Sequence, residues 1–188
     1  MRKQTLAAVC ALMLCAPVLF AQESKPTPPT VTSILERALS NVEREFVSAA
    51  EAMPDDKFDF APTNGEFKGV RTFGQQVKHV AATNYLIAAA ILEEKPPAAA
   101  AEGENGPAAM KSKAEIIKFL KDSMEYTHKA FSTVNEKNLT PQITSPFGQS
   151  KVTRLGMTTL LVSHALDHYG QMVEYLRMNG IIPPASRQ

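Results

Sequence analysis

Four histidines carry the side chains best suited to metal chemistry: His79, His128, His164 and His168. His164 and His168 stand four residues apart. On a helix that spacing puts both rings on one face, about 6 Å apart along the axis. Two imidazoles so placed can converge on one cation. At about 100° per residue, Met157, Leu160, Leu161, His164, His168, Gln171 and Tyr175 fall on a single side. Histidines facing a core leave polar nitrogens that need partners, and a metal supplies one. The same spacing also occurs in ordinary hydrogen-bonded or exposed pairs, so the pair alone does not define a site.

His79 adds a third nitrogen. Gln75, His79, Thr83, Leu86 and Ala90 share a face of an earlier helical stretch. One histidine from that stretch and a pair from another make a three-nitrogen site with coordination positions left open. Open positions mark a catalytic metal rather than a closed structural one. His128 lies beside the apolar stripe of its own helix and reads as a boundary or surface residue. Gln171, one turn beyond His168, is placed to orient a ligand or to act as a packing amide. Thr83 and Tyr175 are expected to line the cavity or to pack in the core. Asp167 lies about 60° off the face of His164, while Glu174 and Arg177 face outward. No carboxylate sits on either histidine stripe and HExxH is absent. A general base would have to come from a loop, with Glu66 and Asp59 as candidates.

Four helices must position these residues. The first is expected from Ser33, where Glu36 three residues on completes a capping box. Its stripe is Leu35, Leu39, Val42, Phe46 and Ala49, and Met53-Pro54 ends it. The second starts near Thr72, with Gln75 at the box position, and runs to about Glu94. The third starts at Ser112, with Glu115, and carries Ile116, Leu120, Met124, Thr127 and Phe131. The fourth runs from Thr153 to Asn179. There Gly180 suits a left-handed cap and Pro183-Pro184 forbid continuation. Gly170 is expected to let a neighbouring helix approach closely. No stretch alternates well enough for a useful strand. Amphipathic helices without a sheet bury their stripes on one another, so the fold class is all-α, a four-helix bundle. The connections 54–71, 95–111 and 136–152 are longer than a bundle needs, which is mild evidence that they shape a site. The Ala-, Gly- and Pro-rich 95–111 reads as mobile.

The N-terminus bears on location. Arg2 and Lys3 precede an apolar run to Phe20, with a small residue, Ala21, at a plausible cut. Residues 1–21 therefore read as a signal peptide and the protein as exported, periplasmic or secreted. An uncleaved anchor is the alternative, but the run is short for a span of about 20 apolar residues. Residues 22–32 read as a flexible Pro-rich linker, 33–184 as the bundle and 185–188 as a tail. Both cysteines, Cys10 and Cys15, fall inside the signal, so the mature chain has no thiol. Loss of Arg2 and Lys3 leaves 18 basic against 19 acidic residues. A near-neutral domain without basic blocks argues against nucleic acid as a partner. No stable membrane span is expected after cleavage.

The sequence resembles the DinB-like superfamily. One part of the resemblance is Phe73-Gly74-Gln75-Gln76-Val77-Lys78-His79-Val80-Ala81. The more specific part is HxxxHxGQ from His164 to Gln171, followed by YLRxxG from Tyr175 to Gly180 and then Pro183-Pro184. The resemblance implies an up-down-down-up bundle and a divalent metal on His79, His164 and His168, with Zn, Ni, Mn or Fe all compatible. It suggests a transferase or isomerase acting on a small molecule through a low-molecular-weight thiol. The sulfur would have to come from outside the chain, and export counts against that, since such thiols are mainly intracellular. Metal-assisted hydrolysis is the alternative. A third reading is a non-enzymatic exported metal- or ligand-binding bundle. A homodimer is an expectation from the family.

Overall fold

A computed structural model describes residues 28–187. The expected signal peptide, most of the expected linker and Gln188 lie outside the described residues. Four long helices dominate: α1 (Val31–Ala52), α2 (Phe73–Leu92), α3 (Lys113–Ser132) and α4 (Arg154–Met178).

The capping signals explain most of the boundaries. Thr72 and Gln75 exchange hydrogen bonds at the start of α2, and Ser112 and Glu115 do the same for α3. Thr153 Oγ1 accepts from Gly156 N to open α4. At its end Gly180 takes φ 74°, and the amides of Gly180 and Ile181 return to Arg177 O and Leu176 O. These two bonds close a Schellman motif, which requires the left-handed residue that glycine supplies. The start of α1 differs from expectation. Thr30 is the cap, accepting from Ser33 N at 3.1 Å, so Val31 and Thr32 are helical rather than linker. Thr32 Oγ1 also donates to Val134 O. No box forms between Ser33 and Glu36, because Ser33 lies inside the helix and its hydroxyl donates to Thr30 O, while Glu36 meets His128 at 2.6 Å.

Around the bundle, α1 packs on α3 and α4, and α2 packs on α3 and α4. Consecutive helices α1 and α2 therefore sit on a diagonal, as do α3 and α4. The connections 53–72 and 133–153 are long because they cross the bundle. The second contains an element the sequence did not suggest. Gln142–Thr144 (β1) and Lys151–Thr153 (β2) pair antiparallel, with Ile143 opposite Val152. Three-residue strands are too short for alternation to register. Their one deeply buried side chain is Ile143.

The core is built from Phe46, Ile87, Leu120, Met124, Phe131, Leu161 and Met172, all fully buried. Each large apolar side chain contributes about 1.5–3 kcal/mol, so the bundle has a core independent of any ion. Helix α2 is buried almost all round rather than along one stripe. Gln75 is exposed, whereas Gln76 and Lys78 are buried. Gln76 meets Gln171 of α4 and Lys78 reaches Pro107 of the next loop, while the 53–72 connection lays Phe58 and Phe60 over the start of α2. Phe73 N donates to Phe60 O and Gly74 N to Phe58 O, both at 2.8 Å. A Cβ on Gly74 would lie 2.7 Å from the Phe58 ring, so only glycine fits there. The close approach expected at Gly170 is absent. That residue is exposed, with nothing within 4 Å of a built Cβ. Among the described residues, no helix is long and apolar enough to cross a membrane.

His128 ties α3 to α1. Its Nδ1 meets Glu36 at 2.6 Å and its Nε2 meets Glu43 at 2.9 Å. Burial opposes its charge, but hydrogen bonds and charge from Glu43 and Glu36 outweigh burial and raise its pKa above the ordinary histidine value. A pKa raised on folding stabilises fully below the unfolded value of about 6.5 and is lost as pH climbs through the folded value. The three side chains stay about a third exposed, so the bridge is worth on the order of 1 kcal/mol. Urea melts of wild type and His128→Gln should therefore differ by that order at pH 6 and converge toward pH 9. A gap that stays constant with pH would remove the bridging role.

Candidate metal centre

His79 lies two turns into α2, and His164 and His168 project from the middle of α4. Where α2 packs on α4 the three rings meet. His79 Nε2 and His164 Nε2 are 3.1 Å apart. The ring centroids are 4.6 to 5.0 Å apart in all three pairings. One nitrogen from each ring can be chosen so that all three lie within 4.8 Å of one another. His79 and His168 are buried and His164 is half-buried.

Protonation suits ligation. Burial, with the charge of the neighbouring imidazoles, pushes His164 and His168 down to about 4. Burial lowers His79 as well, against the pull of the Glu104 carbonyl. All three rings are thus neutral at pH 7, with lone pairs free. His79 Nδ1 donates to Glu104 O at 2.7 Å, which fixes its tautomer and leaves Nε2 as the acceptor facing the other rings. A backbone carbonyl behind a ring is how metal-ligating histidines are commonly held. The Nδ1 atoms of His164 and His168 are buried without a hydrogen-bond partner. Unpaired buried nitrogens are costly, and a cation gives the cluster a partner. Two nitrogens 3.1 Å apart are compatible with a shared ion about 2.0–2.1 Å from each, as for zinc. These residues fit a divalent metal.

The α2–α3 connection closes over the cluster. Besides the His79 bond, Lys78 Nζ donates to Pro107 O at 2.9 Å. Arg71 donates to Asn105 at 3.0 Å and pairs with the Glu104 carboxylate at 3.6 Å. A cavity of about 290 Å³ opens beside the rings. His79 and His164 form one wall; Thr83, Ile87, Leu160, Phe147 and Glu104 complete it.

The other sequence-predicted residues are placed as follows. Thr83 lines the cavity. Gln171 accepts from Gln76 at 2.8 Å and donates to Asp167 at 3.0 Å, so it links α2 to α4 without a hydrogen bond to any of the rings. Tyr175 does not line the cavity. Its hydroxyl donates to Arg71 O at 3.2 Å and its ring packs on Phe60, holding the start of α2. Asp59 and Glu66 are exposed and away from the cavity. Glu104, whose carbonyl accepts from His79 and whose carboxylate pairs with Arg71, lines it as well, and helical spacing gave no signal for it. The one hint was an acid between two glycines in the loop that leaves the His79 helix.

A helical bundle with three imidazoles gathered between two of its helices defines a histidine-centred bundle. The chain belongs to the DinB superfamily, whose family model matches residues 38–172. Solved structures show the same fold. A DinB-like protein from Bacillus cereus is 18% identical, with a TM-score of 0.63 over 80% of this chain and 93% of that one. A DinB-like protein from Bacillus subtilis is 20% identical, with a TM-score of 0.61 over 78% and 92%. YfiT from Bacillus subtilis is described as a probable metal-dependent hydrolase with an unusual four-helix bundle topology. It is 18% identical, with a TM-score of 0.56 over 86% and 96%. Comparison with curated proteins finds no match.

Proposed function

We propose that this protein is a divalent-metal-dependent hydrolase of small molecules, exported to the periplasm or beyond. The observation that carries the reading is the convergence of His79, His164 and His168 on one spot, beside a cavity that the first two line. An all-imidazole donor set suits Zn, Ni or Fe better than Mg or Ca, and leaves Mn as a weaker candidate. A bound cation supplies Lewis acidity and brings the pKa of a water at the site toward about 7. The protein supplies the rest. Three neutral rings hold the ion without cancelling its charge. Glu104 takes the proton that the attacking water gives up. Arg71 pairs with that carboxylate at 3.6 Å. Ile87 and Leu160 hold the apolar part of the substrate away from water. The description of YfiT supports the reaction class.

The test strips the mature protein with a chelator and reloads it with Zn, Ni, Mn or Fe(II). Each form is assayed on p-nitrophenyl esters and anilides, and on glutathione with an electrophile. Hydrolysis that is absent from the stripped form and returns with one metal is the expected result. Metal-dependent thiol conjugation without hydrolysis would replace this reading with a thiol-dependent transferase. Inactivity in every form on every substrate would leave a binding protein.

A further inference from the structure

Buried hydroxyls in this bundle usually satisfy themselves on their own helix. Thr127 Oγ1 donates to Ser123 O, Thr158 Oγ1 to Leu155 O, and Ser123 Oγ to Leu120 O. Such back-bonding is the default for a helical threonine or serine. Thr83 breaks the pattern. It is 3% exposed, yet its Oγ1 has no hydrogen-bond partner. It lies one turn beyond His79 on the same face and lines the cavity that His79 and His164 share. A valine of the same shape would spare the chain an unpaired polar atom. The hydroxyl therefore costs stability without a partner and is an unpaired donor in that wall.

The rest of the cavity defines what would pair with it. Ile87 and Leu160 are apolar, and the only charged side chain in the lining is Glu104. Away from the histidines, no lysine or arginine among the described residues lines it to receive a carboxylate or phosphate on the flank of a ligand. The volume, about 290 Å³, is at the small end for ligand cavities. We propose that Thr83 is a specificity-determining residue that donates its hydroxyl to the carbonyl oxygen of a small, uncharged acyl compound. The ester or amide flank of that compound rests on Ile87 and Leu160. The inference deepens the hydrolase reading and rests on its metal centre.

The experiment measures binding, so it does not depend on turnover. Zinc-loaded wild type, Thr83→Val and Thr83→Ser are titrated calorimetrically with benzamide, an uncharged carbonyl compound with an apolar flank. Metal content and melting temperature are recorded for each variant. Thr83→Val is expected to bind at least tenfold more weakly, with unchanged zinc and a melting temperature equal to or above wild type. Thr83→Ser should bind within threefold of wild type. The 4-carboxylate derivative of the probe should bind wild type at least tenfold more weakly than the parent. Equal affinity in Thr83→Val, a lowered melting temperature in that variant, or no binding to wild type would each overturn the proposal. Probe binding through Thr83 in a protein that hydrolyses nothing would instead sink the hydrolase reading and leave the subsite standing.

Discussion

His164→Ala should lose stoichiometric metal while keeping its fold. His164 is one of only three rings in the cluster, and its Nε2 faces His79 Nε2 at 3.1 Å. Removing a ligand outright should cost more than the roughly 10–100-fold that loss of a supporting partner costs. The fold should tolerate the change. The core rests on Phe46, Phe131, Leu120 and Leu161, and the ring that leaves carries a buried nitrogen without a partner. Stability of the metal-free protein should fall by no more than about 1–2 kcal/mol. Elemental analysis and circular-dichroism melts of the purified variant give both numbers, with His128→Gln as the control that keeps its metal. Equal metal in His164→Ala and wild type would remove the centre.

Glu104→Gln should produce the opposite split. The carbonyl that accepts from His79 belongs to the backbone and survives any substitution at this position. Metal content should therefore be unchanged. The carboxylate is what the change removes, and with it the proton acceptor of the proposed hydrolysis. General-base loss typically costs about 10²–10⁴-fold, so a fall in kcat of at least about 100-fold is expected, with KM nearly constant. Steady-state kinetics on the best ester from the panel measure it. A kcat within a few-fold of wild type would mean that another group takes the proton.

The contrast between His164 and Glu104 shows what a linear reading can reach. The His164–His168 pair was legible because its logic is local: four residues on a helix share a face. The boxes at Thr72–Gln75 and Ser112–Glu115 were legible for the same reason. The identical pattern at Ser33–Glu36 failed because Thr30 caps the helix one turn earlier and leaves Ser33 inside it. His128 looked like a surface residue for a different cause. Its two glutamates are on another helix, at positions no spacing rule connects to it. Glu104 could not be placed because a loop has no periodicity, and only the bonds to Arg71 and His79 fix its path. Loop length was also an ambiguous signal. Two of the three long connections owe their length to crossing the bundle, and the third closes over the histidines. Gly74 and Gly170 were indistinguishable in sequence, yet only the first is pressed by a neighbouring ring.

The diagonal arrangement of the helices has a temporal consequence. His79 and His164 are separated by 85 residues and belong to helices from opposite halves of the chain. Their contact forms only when the last long helix docks, and contacts of such separation come late and slowly. A nascent or half-folded chain therefore has no chelating pocket to fill. A metal held by all three rings would therefore be taken up only where the protein completes its folding, from the metal supply of that place.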